Sequence, residues 1–413
     1  MGRSPKVGAI VRAAARPAGP LAGTEIASTT ANLTRPAEFI LCNCFLQCVS
    51  LKYNGLVQLL CVIHKLAAGT HHPPPPLAGG PICGKLSLGG KLLGLETKWW
   101  RLKKSNSPGW TGVDPSPEAM CGASVRMPGA DGGKPQVVKC ATMSEPEFGA
   151  GGLAQLARKI AVPQFQWTLP LARGDYKMIV LPEPAVKLAE MADSVRWSLG
   201  TVLEYPVDEA AVDWISIPTL KHSPQRQQHL YAVVARNEVI RQRAQTFHQA
   251  KMTLNAVDVR ETAQRNIAAL VEKPGEALGM VSVNAQGVQI TFTFEGELYL
   301  DRFIEAPLAT AIAGDDDSRT RMFERITLQV QRSLDFVHRT LSFMQVGRIV
   351  IAPLPAPIAL REHLAQNIAE PVEMLDLASV FDFSLTPELA PEEAQARYFV
   401  ALGATLRGMA TTQ

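Results

Sequence analysis

A two-domain α/β fold with a smaller α/β subdomain set between its halves is what the sequence predicts, and three observations carry the prediction. First, Leu278 to Pro307 holds three apolar, alternating runs separated by turn residues, the pattern of a three-strand meander that leads into a long helix. Second, Gly109 to Ala141 repeats that pattern more weakly, with runs at Gly109–Pro117, Met120–Arg126 and Pro135–Ala141 and a Gly-rich turn at Gly129–Lys134. Third, the intervening chain reads helix, two strands, helix and strand, which is enough to build a compact subdomain.

The bulk properties admit this reading and exclude others. A chain of 413 residues is long enough for two or more sizeable cores. Its hydrophobic content of 46%, charged content of 19% and net charge of +3 are those of a globular protein, with no case for nucleic acid as partner. The charge is uneven, since residues 1–97 carry nine Lys and Arg against three Glu and no Asp. That segment is rich in Gly and Pro, includes His71-His72 before Pro73 to Pro76, and shows no sustained period. It is expected to be an unstructured extension outside the functional protein. Cys42, Cys44, Cys48, Cys61 and Cys83 all fall in it, at spacings that fit no paired zinc knuckle. Phe39 to Leu66 is interrupted by Asn43, Gln47, Lys52, Asn54 and Gln58, so it is no transmembrane helix, and Arg12, Arg16 and Pro17 break any early signal-like run.

The domain plan places the extension at 1–97, a first meander domain at 98–181, the inserted subdomain with its return at 182–275, and the second domain at 276–413. Trp99 to Lys104 is a short aromatic and basic lead, read as solvated. Within the first domain, Gly151 to Ile160 is a helix with Leu153, Leu156, Ala157 and Ile160 inward. Gln164–Leu171 and Tyr176–Leu181 are strands around the Arg173-Gly174-Asp175 turn. In the insert, Ala185 to Leu199 is amphipathic, with Leu188, Met191, Val195 and Leu199 expected inward. Strands Ala211–Ile217 and Leu230–Ala235 follow, then a helix to Lys251 capped by Asn237, a strand at Leu254–Val259 and a helix at Glu261–Val271.

In the second domain the strand Leu278–Val283 ends at Asn284-Ala285-Gln286-Gly287, where Gly287 is expected to take positive φ. In the next strand Val288, Ile290, Phe292 and Phe294 alternate with Gln289, Thr291 and Thr293, which predicts one buried and one polar face. Glu295-Gly296 turns the chain into Leu298–Ile304. Asp315 to Ser318 cap a helix to Leu341 whose inward residues are Met322, Phe323, Ile326, Val330, Leu334 and Val337. A buried strand at Arg348–Pro353, a helix at Ile358–Ile368, a short strand at Val372–Leu375 and a helix at Pro391–Arg407 complete the chain.

Several words of the sequence resemble the PilM-like type IV pilus assembly proteins, and within them the MshI-like proteins of mannose-sensitive haemagglutinin (MSHA) pilus biogenesis. They are Tyr231 to Asn237, Asp258 to Ile267, Gly296 to Leu300 and Phe323 to Asp335, in family order, with the similarity spanning about residues 98–407. The resemblance implies an actin-like (ribonuclease H-like) fold and a cytoplasmic place peripheral to the inner membrane, reached through partners. It also implies a groove, between the insert and the first meander, for the amino-terminal tail of a PilN- or MshJ-like inner-membrane pilus protein. In such a fold two hairpin turns hold phosphates, carboxylates hold Mg²⁺, and a glycine-rich turn meets the nucleoside.

Here each of those places departs from the family pattern. In the first turn Asp114 is present, but Pro115 stands where glycine belongs and offers no N–H; Ser116 follows. Ser282 and Asn284 replace the Asp and Gly of the second turn, and Pro353-Leu354-Pro355 replaces a triple glycine. Asp114, Ser116, Ser282 and Asn284 are therefore candidate but degenerate phosphate-turn residues, read first as ordinary hairpin residues. The expectation is a scaffold with no cofactor and no catalytic residue; the alternative is an active ATPase binding ATP and Mg²⁺. His222, His229, His248, His338 and His363 lack metal-ligand spacing, and neither Cys121 nor Cys140 has a His near it in sequence.

Overall fold

The computed structural model describes residues 108–116, 119–129, 132–144, 148–219, 222 and 227–409. Expectations placed on residues 1–97 and on Trp99 to Lys104 lie outside them.

The first meander comprises β1 (Gly109–Pro115), β2 (Met120–Arg126) and β3 (Gln136–Met143), all antiparallel. Helix α1 (Ala150–Ile160) leads to β4 (Gln166–Pro170), which lies parallel to β1, and β8 (Ala256–Asp258) lies parallel to β4. The resulting order is β3-β2-β1-β4-β8. The second half repeats it. Strands β9 (Ala277–Val283), β10 (Val288–Phe294) and β11 (Glu297–Ile304) form the meander, and α5 (Leu308–Ala313) and α6 (Asp316–Thr340) lead to β12 (Val346–Ile351). Helix α7 (Leu360–Asn367) and β13 (Val372–Met374) follow, giving β11-β10-β9-β12-β13.

Between β4 and β8 the chain makes a small antiparallel sheet of β5 (Tyr176–Pro182), β6 (Ala210–Ile217) and β7 (His229–Arg236), in the order β5-β7-β6. Helix α2 (Met191–Leu199) covers one face, and α3 (Asn237–Gln249) follows β7. Because β5 pairs with β7 throughout, the small sheet begins at Tyr176, ahead of the boundary expected at residue 182.

Helix α4 (Arg260–Val271) follows β8 and α8 (Glu392–Thr405) closes the second half. These two helices are exchanged: α4 leaves the first sheet and packs on β9, β10 and β11, whereas α8 leaves the second sheet and packs on β1, β2 and β4. They cross each other in a layer between the sheets, where Val125 and Val137 of the first sheet and Leu278, Met280 and Val350 of the second share one core with Ile267, Phe399 and Leu402. Their approach is close, for a Cβ on Gly403 would lie 2.2 Å from the Ala263 carbonyl oxygen.

The exchange explains the main departure from the sequence pattern. All seven residues of β10 are buried, Gln289, Thr291 and Thr293 included, because the face read as polar lies under α4. Helix α4 meets it with polar groups. Gln264 Nε2 donates to the Met280 carbonyl at 3.0 Å and to the Thr291 hydroxyl at 2.9 Å. Glu261 accepts from Tyr176 Oη at 2.5 Å and from Arg173 at 2.8 Å. Arg173 also donates to Gln289, which donates to Asp301, and its guanidinium lies 3.8 Å over the Phe303 ring. Burial, with the Glu261 carboxylate nearby, holds the Asp301 carboxyl well above the usual carboxylate range.

Other local expectations are corrected as well. Gly287 is not among the positive-φ glycines; it is required because a Cβ there would lie 2.2 Å from the Ile304 carbonyl oxygen, and the left-handed pair is Glu295-Gly296, at φ 51° and 73°. Leu188 sits in a 3₁₀ turn before α2 and is 58% exposed rather than inward. Asn237 does not cap α3; its Nδ2 donates to the Asp208 carbonyl instead. Asp315 does cap α6, accepting from the Ser318 N–H at 2.7 Å, and the six inward residues of that helix are buried.

Two stability tests follow from this packing. Gly403→Ala should lower stability by about 1–3 kcal/mol in urea unfolding through overpacking, although alanine favours a helix by about 1 kcal/mol. Asp301 holds its proton to higher pH in the folded state, so its stabilising contribution is complete below about pH 4 and is lost as pH rises through the raised value. Asp301→Asn should therefore melt near the wild type in acid and increasingly above it as pH increases, which a thermal series across pH checks.

Candidate functional site

Strands β1 and β9 are equivalent in the two halves, and the groups at their ends converge on the first turn of α4. Helix α4 starts directly after the extended Val259, with no side-chain cap. Arg260 Nη1 donates to Asp114 Oδ1 at 2.8 Å and Nη2 to Oδ2 at 3.3 Å, a two-pronged pairing. Asp114 is 3% exposed, and the Arg260 side chain is also largely covered. Burial works against the guanidinium charge, yet Asp114, aided by Tyr176 and Glu261, more than offsets it, so the Arg260 pKa stands above its ordinary value. One turn on, Gln264 Oε1 accepts the Ser282 hydroxyl at 2.6 Å. Residues at i and i+4 share a helix face, so the structure brings Asp114 and Ser282 together through Arg260 and Gln264.

The other expected turn residues do not join them. Asn284 Oδ1 accepts from the N–H groups of Gln286 and Gly287 at 2.9 and 3.1 Å, closing its own hairpin as an Asx turn. Ser116 is half-buried just beyond β1. Of Pro353-Leu354-Pro355, Leu354 alone carries an N–H, and it donates to Glu392 Oε1 of α8 at 2.9 Å. Both Asp114 oxygens, the Ser282 hydroxyl, Asn284 Oδ1 and the Leu354 N–H are thus engaged inside the chain. A Mg²⁺–triphosphate would need these carboxylate oxygens and donors itself, so the arrangement does not fit that ligand.

Other chemistries find little support. Among the described residues no group of three or more His, Cys, Asp or Glu could hold a metal ion. Burial, with Glu388 beside it, pushes the Cys140 thiol up to about 12, which leaves it protonated and un-nucleophilic at neutral pH. The Arg173-Gly174-Asp175 triplet is a turn with Gly174 at φ 101°, and both its charges are used internally, Arg173 by Glu261 and Asp175 by Arg243 at 2.7 Å.

A small pocket of about 30 Å³ opens between the small sheet and the first half. Its walls are mainly apolar: Ala211 and Val212 of β6, Val233 of β7, Ile240 of α3, and Val257 and Val259 at β8. Asp213 and Asp258 also line it, and Arg407 donates to Asp258 Oδ2 at 3.1 Å. Strand β6 pairs only with β7 among the described strands, and β8 only with β4. Two sheet edges therefore border one apolar pocket.

Hydrophobic patterning missed Arg260, Glu261 and Gln264 as junction residues because they are buried and polar. The available signal was a run of charged and amide groups directly after a strand, at i and i+4 of the helix it enters.

No family model matches the sequence, and no curated protein matches it. Solved structures match its shape. The "PilM-PilN type IV pilus biogenesis complex" superposes with a TM-score of 0.59 at 16% identity, covering 73% of this chain and 99% of that one. The cytoplasmic domain of EpsL, an inner-membrane component of the type II secretion system of Vibrio cholerae, matches with a TM-score of 0.39 at 9% identity, over 65% of this chain and 91% of that one. A Bacteroides thetaiotaomicron protein with an actin-like ATPase fold matches with a TM-score of 0.38 at 10% identity, over 70% and 99%. Together with the twice-repeated strand order, the first of these likenesses shows that the chain has the actin-like fold.

Proposed function

We propose that this chain is an actin-like adaptor of a type IV pilus assembly platform, of the MshI kind within the PilM-like proteins, that works without nucleotide. It holds the amino-terminal tail of an inner-membrane, PilN- or MshJ-like partner and stays peripheral to the membrane on the cytoplasmic side through that partner. The observation that carries the reading is the apolar pocket bordered by the β6 and β8 edges. An extended segment gains affinity from backbone pairing with a sheet edge and specificity from side chains seated in a pocket, and here two edge strands line one apolar pocket. The likeness in fold to a PilM–PilN complex supports the choice of partner. No helix among the described residues is long and apolar enough to cross a membrane, which accords with an attachment made through a partner.

The alternative is an active ATPase of the same fold, and Asp114 at the end of β1 is the feature in its favour. Its engagement by Arg260 weighs against that reading.

Calorimetry with a peptide of the partner's amino-terminal tail tests the adaptor. Wild-type protein should bind it, and Val212→Arg, which puts a long charged side chain at the pocket lip, should weaken binding about 10-fold or more, roughly 1.4 kcal/mol. No heat at high micromolar peptide would sink the reading. For the ATPase, Mg²⁺–ATP at about 100 times its dissociation constant should add about 2.7 kcal/mol of stability; thermal unfolding is expected to show no such gain.

A further inference from the structure

The ends of β1 and β9 are where a fold of this kind would be bridged by a metal-bound nucleotide, and here they are bridged by side chains. We infer that Arg260 is the resident cation of this site, standing in for a divalent metal, and that the junction between the halves is closed without any ligand. The inference deepens the adaptor reading and rests on its nucleotide-free part.

Three observations support it. A guanidinium presents a planar fork of donors that matches a carboxylate, and Arg260 meets both Asp114 oxygens at 2.8 and 3.3 Å where Asp114 is 3% exposed. The charge that Asp114 would otherwise seek from a metal is thus supplied inside the chain. The neighbouring Gln264 then performs the second half of the bridging: it holds Ser282, the Met280 carbonyl and Thr291, tying β9 and β10 to the same helical turn. Finally, Arg260 follows Val259, and Val257 to Val259 form one side of the tail pocket. This strand-to-helix step is fixed by covalent connection to a paired arginine. The pocket is therefore formed constitutively, and its shape is indifferent to Mg²⁺ and ATP.

Thermal unfolding of the full chain in EDTA, in millimolar Mg²⁺, and in Mg²⁺ with ATP tests this without using the partner tail. The wild type should melt at the same temperature in all three. Arg260→Gln leaves Asp114 buried without a counter-ion, so it should melt several degrees lower in EDTA and recover part of the loss with Mg²⁺. Adding Asp114→Asn to Arg260→Gln should remove both the loss and the response to metal. If Arg260→Gln does not fold in EDTA, the soluble fraction refolded with and without Mg²⁺ is compared with that of the double variant. Stabilisation of the wild type by Mg²⁺–ATP, an Arg260→Gln variant indifferent to metal, or a double variant no more stable than the single one each overturns the inference. Failure of the tail peptide to bind would overturn the adaptor and leave this result standing.

Discussion

The polar first turn of α4, buried between two sheets, is the constraint on which the rest of the molecule depends. Arg260 reaches β1, Glu261 reaches β5 and the chain after β4, and Gln264 reaches β9 and β10. Desolvating charged groups costs several kcal/mol per ion, and such a cluster is tolerable only when its members are paired. Removing one partner of a buried pair typically costs about 3–5 kcal/mol, because the other charge is stranded. A buried network of this type therefore specifies one relative placement of the halves more sharply than apolar packing, which tolerates small slides.

The exchange of helices makes that specification global. Had α4 folded back on its own sheet, each half could have closed its core independently and the interface would be a surface contact. Instead α4 and α8 are each other's neighbours and serve the opposite sheets, so the central core belongs to both halves. Gly403 against Ala263 is the local condition for it, since only the absence of a Cβ lets the backbones approach that closely.

The same arrangement places the pocket. Strand β8 is the last strand of the first sheet, a wall of the pocket and the lead into α4. The small sheet is held against it by an apolar seam of Ala211, Val233, Ala235, Ile240 and Val257. At its far side Tyr231 Oη donates to the Tyr299 carbonyl at 3.2 Å, so the small sheet also touches the second half. The β6 and β8 edge strands are thereby held on either side of the apolar pocket.

The sequence by itself determined the elements and the repeated plan. Val288 to Phe294 is a strand with the expected ends, Asp315 to Ser318 cap a helix with the expected inward residues, and the two meanders with their helices were legible because period and turn chemistry are local properties. The missing donors at Pro115, Pro353 and Pro355 were legible too, since proline has no N–H wherever it sits. Only the tertiary structure decided that the polar face of β10 is buried, that Gly287 answers to a distant carbonyl, and that Asp114 is matched by Arg260, 146 positions away in the chain. Those facts come from which helix covers which sheet, and no periodicity within a strand or helix encodes its partner across a core.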